Sequence, residues 1–371
     1  MSSARIVGAA ESPYTRRPAD NVTTESLLAD AFVRALAAAG VERSDVDGLG
    51  VASFTLAPDR AIDLAWRLGV RPRWLMDDGN GGASGIQLLQ HAVRAVEAGD
   101  ATTVVLLAGD RLDRDEFRAL VDNYNRATAQ YLAPIPTGGP NALFALLTQR
   151  HMELHGLERA DYGRLVVAQR RHAGRNPGAV YREPLTLEEY LAAPVVAEPL
   201  HRYDCVPVVS GANALVVTRA EHGVAVRGLQ AFHNRDGQEG DGLVTGLADV
   251  ADALWAEAGA GAGDLDVVSV YDDYPAMALV QLADLGIAPD LKRFLNEQLD
   301  GLALNTSGGQ LSAGQAGAAG GMHGLVEVVT QLLGHAGERQ VADARLGVVT
   351  GYGMVLYRYG ACANAVVLER T

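Results

Sequence analysis

Two cysteines in 371 residues, Cys205 and Cys362, stand far apart and without the spacing of a metal site. That excludes a disulfide framework and a cysteine zinc site. Lysine is nearly absent too: Lys292 is the sole one, so arginine carries almost all the positive charge. The net charge of -14 sets aside nucleic acid and anionic membranes as partners. No run approaches the roughly 20 apolar residues of a membrane span. The opening MSSARIVGAAESPYTRR lacks the apolar stretch of a signal peptide. A soluble, cytoplasmic chain is expected. What is present, 48% hydrophobic and 20% charged, suffices for a large core, and the length suits two domains or one large α/β unit.

The order of signals is that of a layered α/β protein. ARIVGAAES reads as a strand, and TESLLADAFVRALAAAG as a helix with Thr24 before its apolar face and Gly40 after it. VDGLGVAS and ATTVVLLAGD follow as strands, the second an apolar run of the buried parallel type. Residues 111–199 change to helices and loops, an expected inserted subdomain, and NALVVTRA closes a first half over residues 1–223. The second half, 224–371, carries the strand LDVVSVYDDY, the helix PAMALVQLADLG, a glycine-rich loop and further strands. The halves echo each other. GGASGIQLLQHAVRAVEAG from Gly81 and GGMHGLVEVVTQLLGHAG from Gly320 share two glycines, a third at Gly85 or Gly324, and an apolar-periodic helix. A helix buried between two sheets needs small residues at its start, so this spacing predicts a duplication.

YDDYP places Tyr271, Asp272, Asp273 and Tyr274 at the end of an apolar strand, where α/β folds put their sites. In extended chain the two carboxylates face opposite ways. One is available to cap the helix that follows. Charges this close raise one pKa, which suits general acid–base work; the alternative is a helix cap beside a structural acceptor. The glycine turn Gly81–Gly82–Ala83 opens a helix yet offers no side chain for attack. Ser84 beside it has no histidine partner in the sequence, which argues against a serine hydrolase. The arginines of RLDRDEFR and QRRHAGRNP suit either phosphate binding or plain surface charge.

GGASG, REPLTLEEYLAAPVVAEPLHRYDC, GANALVVT, SVYDDYPAMALVQLADLG, LALNTSGGQLSAGQAGAAGG and GVVTGYGMVLY occur in one order over nearly the whole chain. In this it resembles the thiolase superfamily, within it the proteins related to sterol carrier protein 2 thiolase. The resemblance implies a five-layered α/β/α/β/α sandwich of two duplicated βαβαβαββ-type halves with an inserted loop domain, acyl-CoA chemistry and a dimer. It also implies where the chain departs. The acyl-accepting cysteine of the family matches Gly82, the histidine of its GHP motif matches Gln315, its second cysteine falls near Gly351, and a further histidine matches Tyr271.

A glycine cannot hold a thioester intermediate, so ping-pong acyl transfer is not expected. The N–H of Gly82, with a second donor from Gly351 or Gly353, remains available to polarise a thioester carbonyl; close helix packing is the other reading of these glycines. Tyr271, Asp272, Asp273, Tyr274, Gln315 and Tyr352 are then the candidates for chemistry. Ser84, Asn305 and His323 are candidates for substrate contact. Such a set suits retro-aldol cleavage, and some thiolase-like proteins of this subgroup cleave steroid side-chain CoA thioesters with a small OB-fold, zinc-ribbon partner. The same resemblance leaves open an acyltransferase or condensing enzyme, and a silent acyl-CoA-binding subunit. It implies no metal or bound cofactor in this chain, CoA being part of the substrate.

Overall fold

The computed structural model describes residues 3–122, 126, 130, 131, 140–237, 239–356 and 359–371. Its strands are β1 (Ser3–Glu11), β2 (Gly48–Ala52), β3 (Trp74–Asp78), β4 (Thr103–Asp110), β5 (Val195–Ala197), β6 (Leu200–His201), β7 (Gly211–Ala220), β8 (Val224–His233), β9 (Val267–Ser269), β10 (Leu346–Leu356) and β11 (Tyr359–Arg370). Its helices are α1 (Thr24–Ala39), α2 (Arg60–Leu68), α3 (Ser84–Ala98), α4 (Arg114–Asp122), α5 (Pro140–His155), α6 (Arg159–Ala173), α7 (Leu187–Leu191), α8 (Leu247–Ala258), α9 (Pro275–Asp284), α10 (Leu291–Arg293), α11 (Gly309–Ala313) and α12 (Gly320–Leu332). None of the described helices is long and apolar enough to cross a membrane.

Nine strands share one sheet in the order β3-β2-β4-β7-β1-β8-β11-β10-β9. β1 and β8 meet at a single pair, Ile6 with Val224. Outward from that seam the two sides repeat: β1-β7-β4-β2 and β8-β11-β10-β9 each run antiparallel, antiparallel, parallel. On one side β3 adds a further parallel strand, and on the other Val268 bridges Leu304 in parallel.

Alternation along the strands separates the layers. Val105 and Leu107 of β4 pack with Leu28, Phe32 and Leu64 of α1 and α2, while Val104 and Leu106 face Ile86, Leu89, Leu325 and Val329 of α3 and α12. Across that central pair, Val349 and Val366 complete the same core, and Val348 and Val367 turn outward to Leu254 of α8 and Leu279 of α9. The result is an α/β fold of five layers, with α3 and α12 enclosed between the two halves of the sheet. Such helices survive burial because they are apolar on most sides. Each large aliphatic side chain there contributes about 1.5–3 kcal/mol.

Local signals were read to within a residue at α1: Thr23, not Thr24, is its N-cap and exchanges hydrogen bonds with Ser26, and Gly40 closes it at φ 63°. The repeat is shifted by three residues from the one the glycine spacing predicts. A 3-10 turn precedes each central helix, Gly81–Ala83 before α3 and Gly317–Ala319 before α12, and Gly81 and Gly317 both have φ +57°. Gly82 therefore corresponds to Ala318, Ala83 to Ala319 and Gly85 to Gly321. The glycines of GGMHG instead record the crossing of the two helices. A Cβ on Gly85 would lie 2.1 Å from the Gly321 carbonyl, and one on Gly321 would lie 2.8 Å from the carbonyls of Gly81 and Gly82.

Candidate active site

The turn before α3 is enclosed from the opposite half. A Cβ built on Gly82 would lie 2.1 Å from the Tyr352 carbonyl, and 2.3 and 2.4 Å from Cε2 and Cζ of Tyr271. The Tyr271 ring thus takes the space a side chain at position 82 would need. Ala83 N–H donates to Asn80 O at 3.2 Å, and among the described residues the Gly82 N–H has no acceptor. Gly353 packs closely on this turn, since a Cβ there would lie 2.1 Å from Asn80 O and 2.9 Å from both Gly82 N and Ala83 N. Gly351 fits against the Asn364 side chain and the Gly82 carbonyl, where its own Cβ would clash at 2.3 and 2.9 Å.

Asn305 holds the backbone just before Tyr271. Asn305, at φ 48°, accepts from Val270 N–H at 2.9 Å and donates to Val270 O at 3.1 Å, extending the edge of β9 with a side-chain amide. Thr350 Oγ1 accepts from Tyr271 N–H at 3.0 Å, and Gln281 donates to Tyr271 O at 2.7 Å. So fixed, the Tyr271 hydroxyl donates to Asp273 Oδ2 at 3.1 Å. Gln315 Nε2 donates to Asp273 Oδ1 at 3.0 Å and Oδ2 at 2.9 Å, and reaches the Tyr271 hydroxyl at 3.2 Å. Three of the residues expected from the sequence, Tyr271, Asp273 and Gln315, therefore form one hydrogen-bonded group beside Gly82.

Asp273 keeps some exposure, but protein surrounds it closely and burial pushes its carboxyl up to about 8. The Tyr271 hydrogen bond opposes that rise, the Asp272 charge adds to it and Gln315 opposes it again. Asp272 is buried and faces the other way. It accepts from Gln310 N–H at 2.8 Å and from Gln169 Nε2 at 3.0 Å, and burial lifts it to about 7 against those bonds and the His323 charge. Gly309 makes room for it, since a Cβ there would lie 2.0 Å from Asp272 Oδ2. Neither aspartate caps α9, contrary to the sequence expectation: Tyr274 is its N-cap with no side-chain hydrogen bond, and Pro275 starts it without needing a donor. Asp272 serves α11 instead.

The other candidate side chains make different contacts. Tyr274 stacks on Phe144 with centroids 4.4 Å apart, donates to Asn141 Oδ1 at 2.7 Å, and is raised well above its ordinary pKa by burial. The Tyr352 hydroxyl accepts from Gly360 N–H at 2.6 Å within its own hairpin. Ser84 is wholly buried, and its Oγ finds no partner among the described residues. His323 meets Ser307 Oγ through Nε2 and Glu11 Oε1 through Nδ1, both at 2.8 Å. Burial would lower its pKa, but the charge and hydrogen bond of Glu11, with Glu327 and Asp272, hold it above the ordinary value. Ser84, expected to lack a histidine partner, has none among the described residues, whereas Ser307 and Glu11 reach His323 through the fold. Arg111 and Arg171 are engaged in ion pairs, and Arg170 lies between the rings of Tyr181 and Tyr203. The side chain of Arg114 lies outside the described residues. Burial pushes Cys205 up to about 12 and Cys362 up to about 11, so neither thiol is a ready nucleophile. No group of three or more metal-ligating side chains occurs among the described residues.

A family profile described as thiolase C-terminal domain-like matches residues 228–363. A "17-hydroxy-3-oxo-4-pregnene-20-carboxyl-CoA lyase" of Mycobacterium tuberculosis is 31% identical over 339 residues, 83% of this chain and 86% of that protein. This is a thiolase-superfamily protein of the sterol carrier protein 2 thiolase-like group. A "steroid side-chain-cleaving aldolase" of Thermomonospora curvata matches this thiolase-like chain equally well, at 31% over 338 residues, 83% of this chain and 85% of the relative. The solved structure of an "Ltp2-ChsH2(DUF35) aldolase" superposes with a TM-score of 0.86 at 27% identity, covering 100% of this thiolase-like chain and 98% of the other.

Proposed function

We propose that this chain cleaves the Cα–Cβ bond of a β-hydroxyacyl thioester of the CoA type by a retro-aldol reaction, without a covalent acyl-enzyme. The observation that carries the reading is the Tyr271–Asp273–Gln315 group lying against Gly82, where a nucleophile's side chain has no room. In its ionised form Asp273 accepts the Tyr271 proton while the phenol oxygen takes the proton of the substrate β-hydroxyl. The O–H electron pair becomes the new C=O bond, the Cα–Cβ bond breaks, and its electrons pass to the thioester as an enolate. Gly82 N–H stabilises that oxygen, and a proton returned to Cα releases the shortened thioester and a ketone or aldehyde. Gln315 keeps Asp273 and Tyr271 in register throughout.

The names of the relatives support this class: one is a lyase of a hydroxylated steroid carboxyl-CoA, another a steroid side-chain-cleaving aldolase. By the same analogy we take the substrate to be a polycyclic β-hydroxyacyl-CoA and the working form to include a partner chain, which the paired name of the solved Ltp2-ChsH2(DUF35) aldolase supports; a small OB-fold protein is the partner that the resemblance implies. A homodimer is part of the same proposal. Acyl transfer is the weaker reading, since it requires a nucleophile and both thiols are pushed toward their protonated form. The test is a cleavage assay on the purified chain with a β-hydroxyacyl-CoA, with and without a partner chain. Release of a carbonyl compound and a shorter acyl-CoA in equal amounts supports the proposal. Free CoA with no C–C cleavage defeats it.

A further inference from the structure

The duplication supplies an internal comparison for the Gly82 turn. Asn213 of β7 and Asn364 of β11 stand in matching stretches, ANALVV and ANAVVL. Each reaches across to the turn of the opposite half. Asn364 Nδ2 donates to Ala83 O at 2.9 Å, and Asn213 Nδ2 donates to Ala319 O at 3.1 Å. Both side chains are buried, at 1% and 0% exposure, so the two bonds are a matched pair.

The surroundings then diverge. At the Ala319 turn the two corresponding groups are satisfied from within the chain. Asn213 Oδ1 accepts from the Tyr14 hydroxyl at 2.8 Å, and Asp110 Oδ2 accepts from Ala318 N–H at 2.7 Å. At the Gly82 turn Asn364 Oδ1 is buried with no hydrogen-bond partner among the described residues. The residue in place of Asp110 is Gly353. Ala108 pairs with Asn213 and Gly351 with Asn364, and Asp110 and Gly353 each stand two residues further on. One turn thus holds a carboxylate of its own chain against its N–H, and the other has no acceptor for the equivalent N–H among the described residues.

We propose that Asn364 is a positioning residue for the reaction at Gly82: by fixing the Ala83 carbonyl from the opposite half, it sets the direction of the Gly82 N–H toward the thioester oxygen. The inference rests on the retro-aldol reading. Residues 81–83 form a single turn closed by two backbone hydrogen bonds, Ala83 N–H to Asn80 O and Ser84 N–H to Gly81 O. A tilt of its carbonyl end therefore moves its N–H groups, and electrostatic stabilisation of an oxyanion depends on donor direction. Asp110 against Ala318 N–H shows the duplicated turn accepting a negative oxygen. Asn364 matters for chemistry only at the turn where that oxygen comes from outside.

The test compares full-length Asn364→Ala and Asn213→Ala, with the partner chain if the wild type needs it. Three quantities are measured: cleavage kinetics, thermal midpoint, and deuterium uptake from solvent at Cα of the short acyl-CoA product, which reports enolate formation alone. Loss of a residue that orients a catalytic donor costs about tenfold to 100-fold. Asn364→Ala should lower kcat by about that factor, with KM within about threefold, and slow the exchange in parallel. Asn213→Ala should lose at least as much thermal stability with kcat within about twofold. If Asn364→Ala fails to fold, Asn364→Ser, which keeps a short donor, replaces it. Equal kcat losses in the two variants, or a change confined to KM, overturn the inference while leaving the retro-aldol reading intact. A folded wild type giving neither cleavage nor exchange overturns both.

Discussion

The aromatic ring of Tyr271 occupies the volume that any side chain on Gly82 would enter, with ring atoms 2.3 and 2.4 Å from where a Cβ would be. The two residues come from opposite halves of a duplicated fold, so the site is assembled only when the halves pack.

Gly82→Cys should not confer acyl transfer. The new Cβ meets the Tyr352 carbonyl, which is backbone, as well as the Tyr271 ring, so trimming the ring does not relieve it. Overpacking of this kind costs about 1–3 kcal/mol. A lowered thermal midpoint, loss of C–C cleavage and no acyl transfer are expected; appearance of thiolytic activity in Gly82→Cys would speak against the packing argument.

Tyr271→Phe keeps the ring on Gly82 and removes the hydroxyl that meets Asp273 and Gln315. A general acid–base group contributes about 10²–10⁴-fold. Cleavage should fall within that range while the thermal midpoint moves little, as steady-state kinetics and calorimetry would show.

The rate should rise with pH. Asp273 acts as base only when ionised, and burial holds its carboxyl at about 8, so cleavage increases as pH passes through that value. Gln315→Glu, which sets a second carboxyl against Asp273, should move this limb to higher pH. The stability effect has the opposite sense. The folded state keeps the Asp273 proton to about pH 8, whereas an unfolded carboxyl loses it near pH 4, so stability falls as pH rises between the two. Asp273→Asn should remove that part of the decline, measurable as thermal midpoints from pH 5 to 9.

Tyr274→Phe separates the two tyrosines of YDDYP. Its hydroxyl meets Asn141 and its ring stacks on Phe144. A loss of about 1 kcal/mol of stability with cleavage within about threefold is expected. A hundredfold loss of kcat would return Tyr274 to the chemistry.

The layers were legible because apolar alternation and helix caps are local: ATTVVLLAGD became the fully buried β4, and Gly40 ended α1. The repeat was legible in kind but misplaced by three residues, because glycines at a helix crossing and glycines at a turn look alike in a string. Tyr271, Asp273 and Gln315 were each singled out, yet their meeting was not readable, since Gln315 joins the others over more than 40 residues of chain. Asp272 and Asp273 were adjacent letters with unrelated tasks; only the fold turns one to α11 and the other to Tyr271. Asn213 and Asn364 share a sequence signal, the ANA before two apolar runs. Asp110, buried by strand and loop donors that include Ser53 and Thr55, carried no signal beyond ending an apolar strand.

The central claim is cleavage without covalent attachment. Intact-protein mass spectrometry of the native chain, quenched during turnover of a β-hydroxyacyl-CoA, tests it most directly. The account expects the unmodified mass at every time point while ketone and shorter acyl-CoA accumulate. An acyl adduct on any side chain that forms and decays at the turnover rate would contradict it.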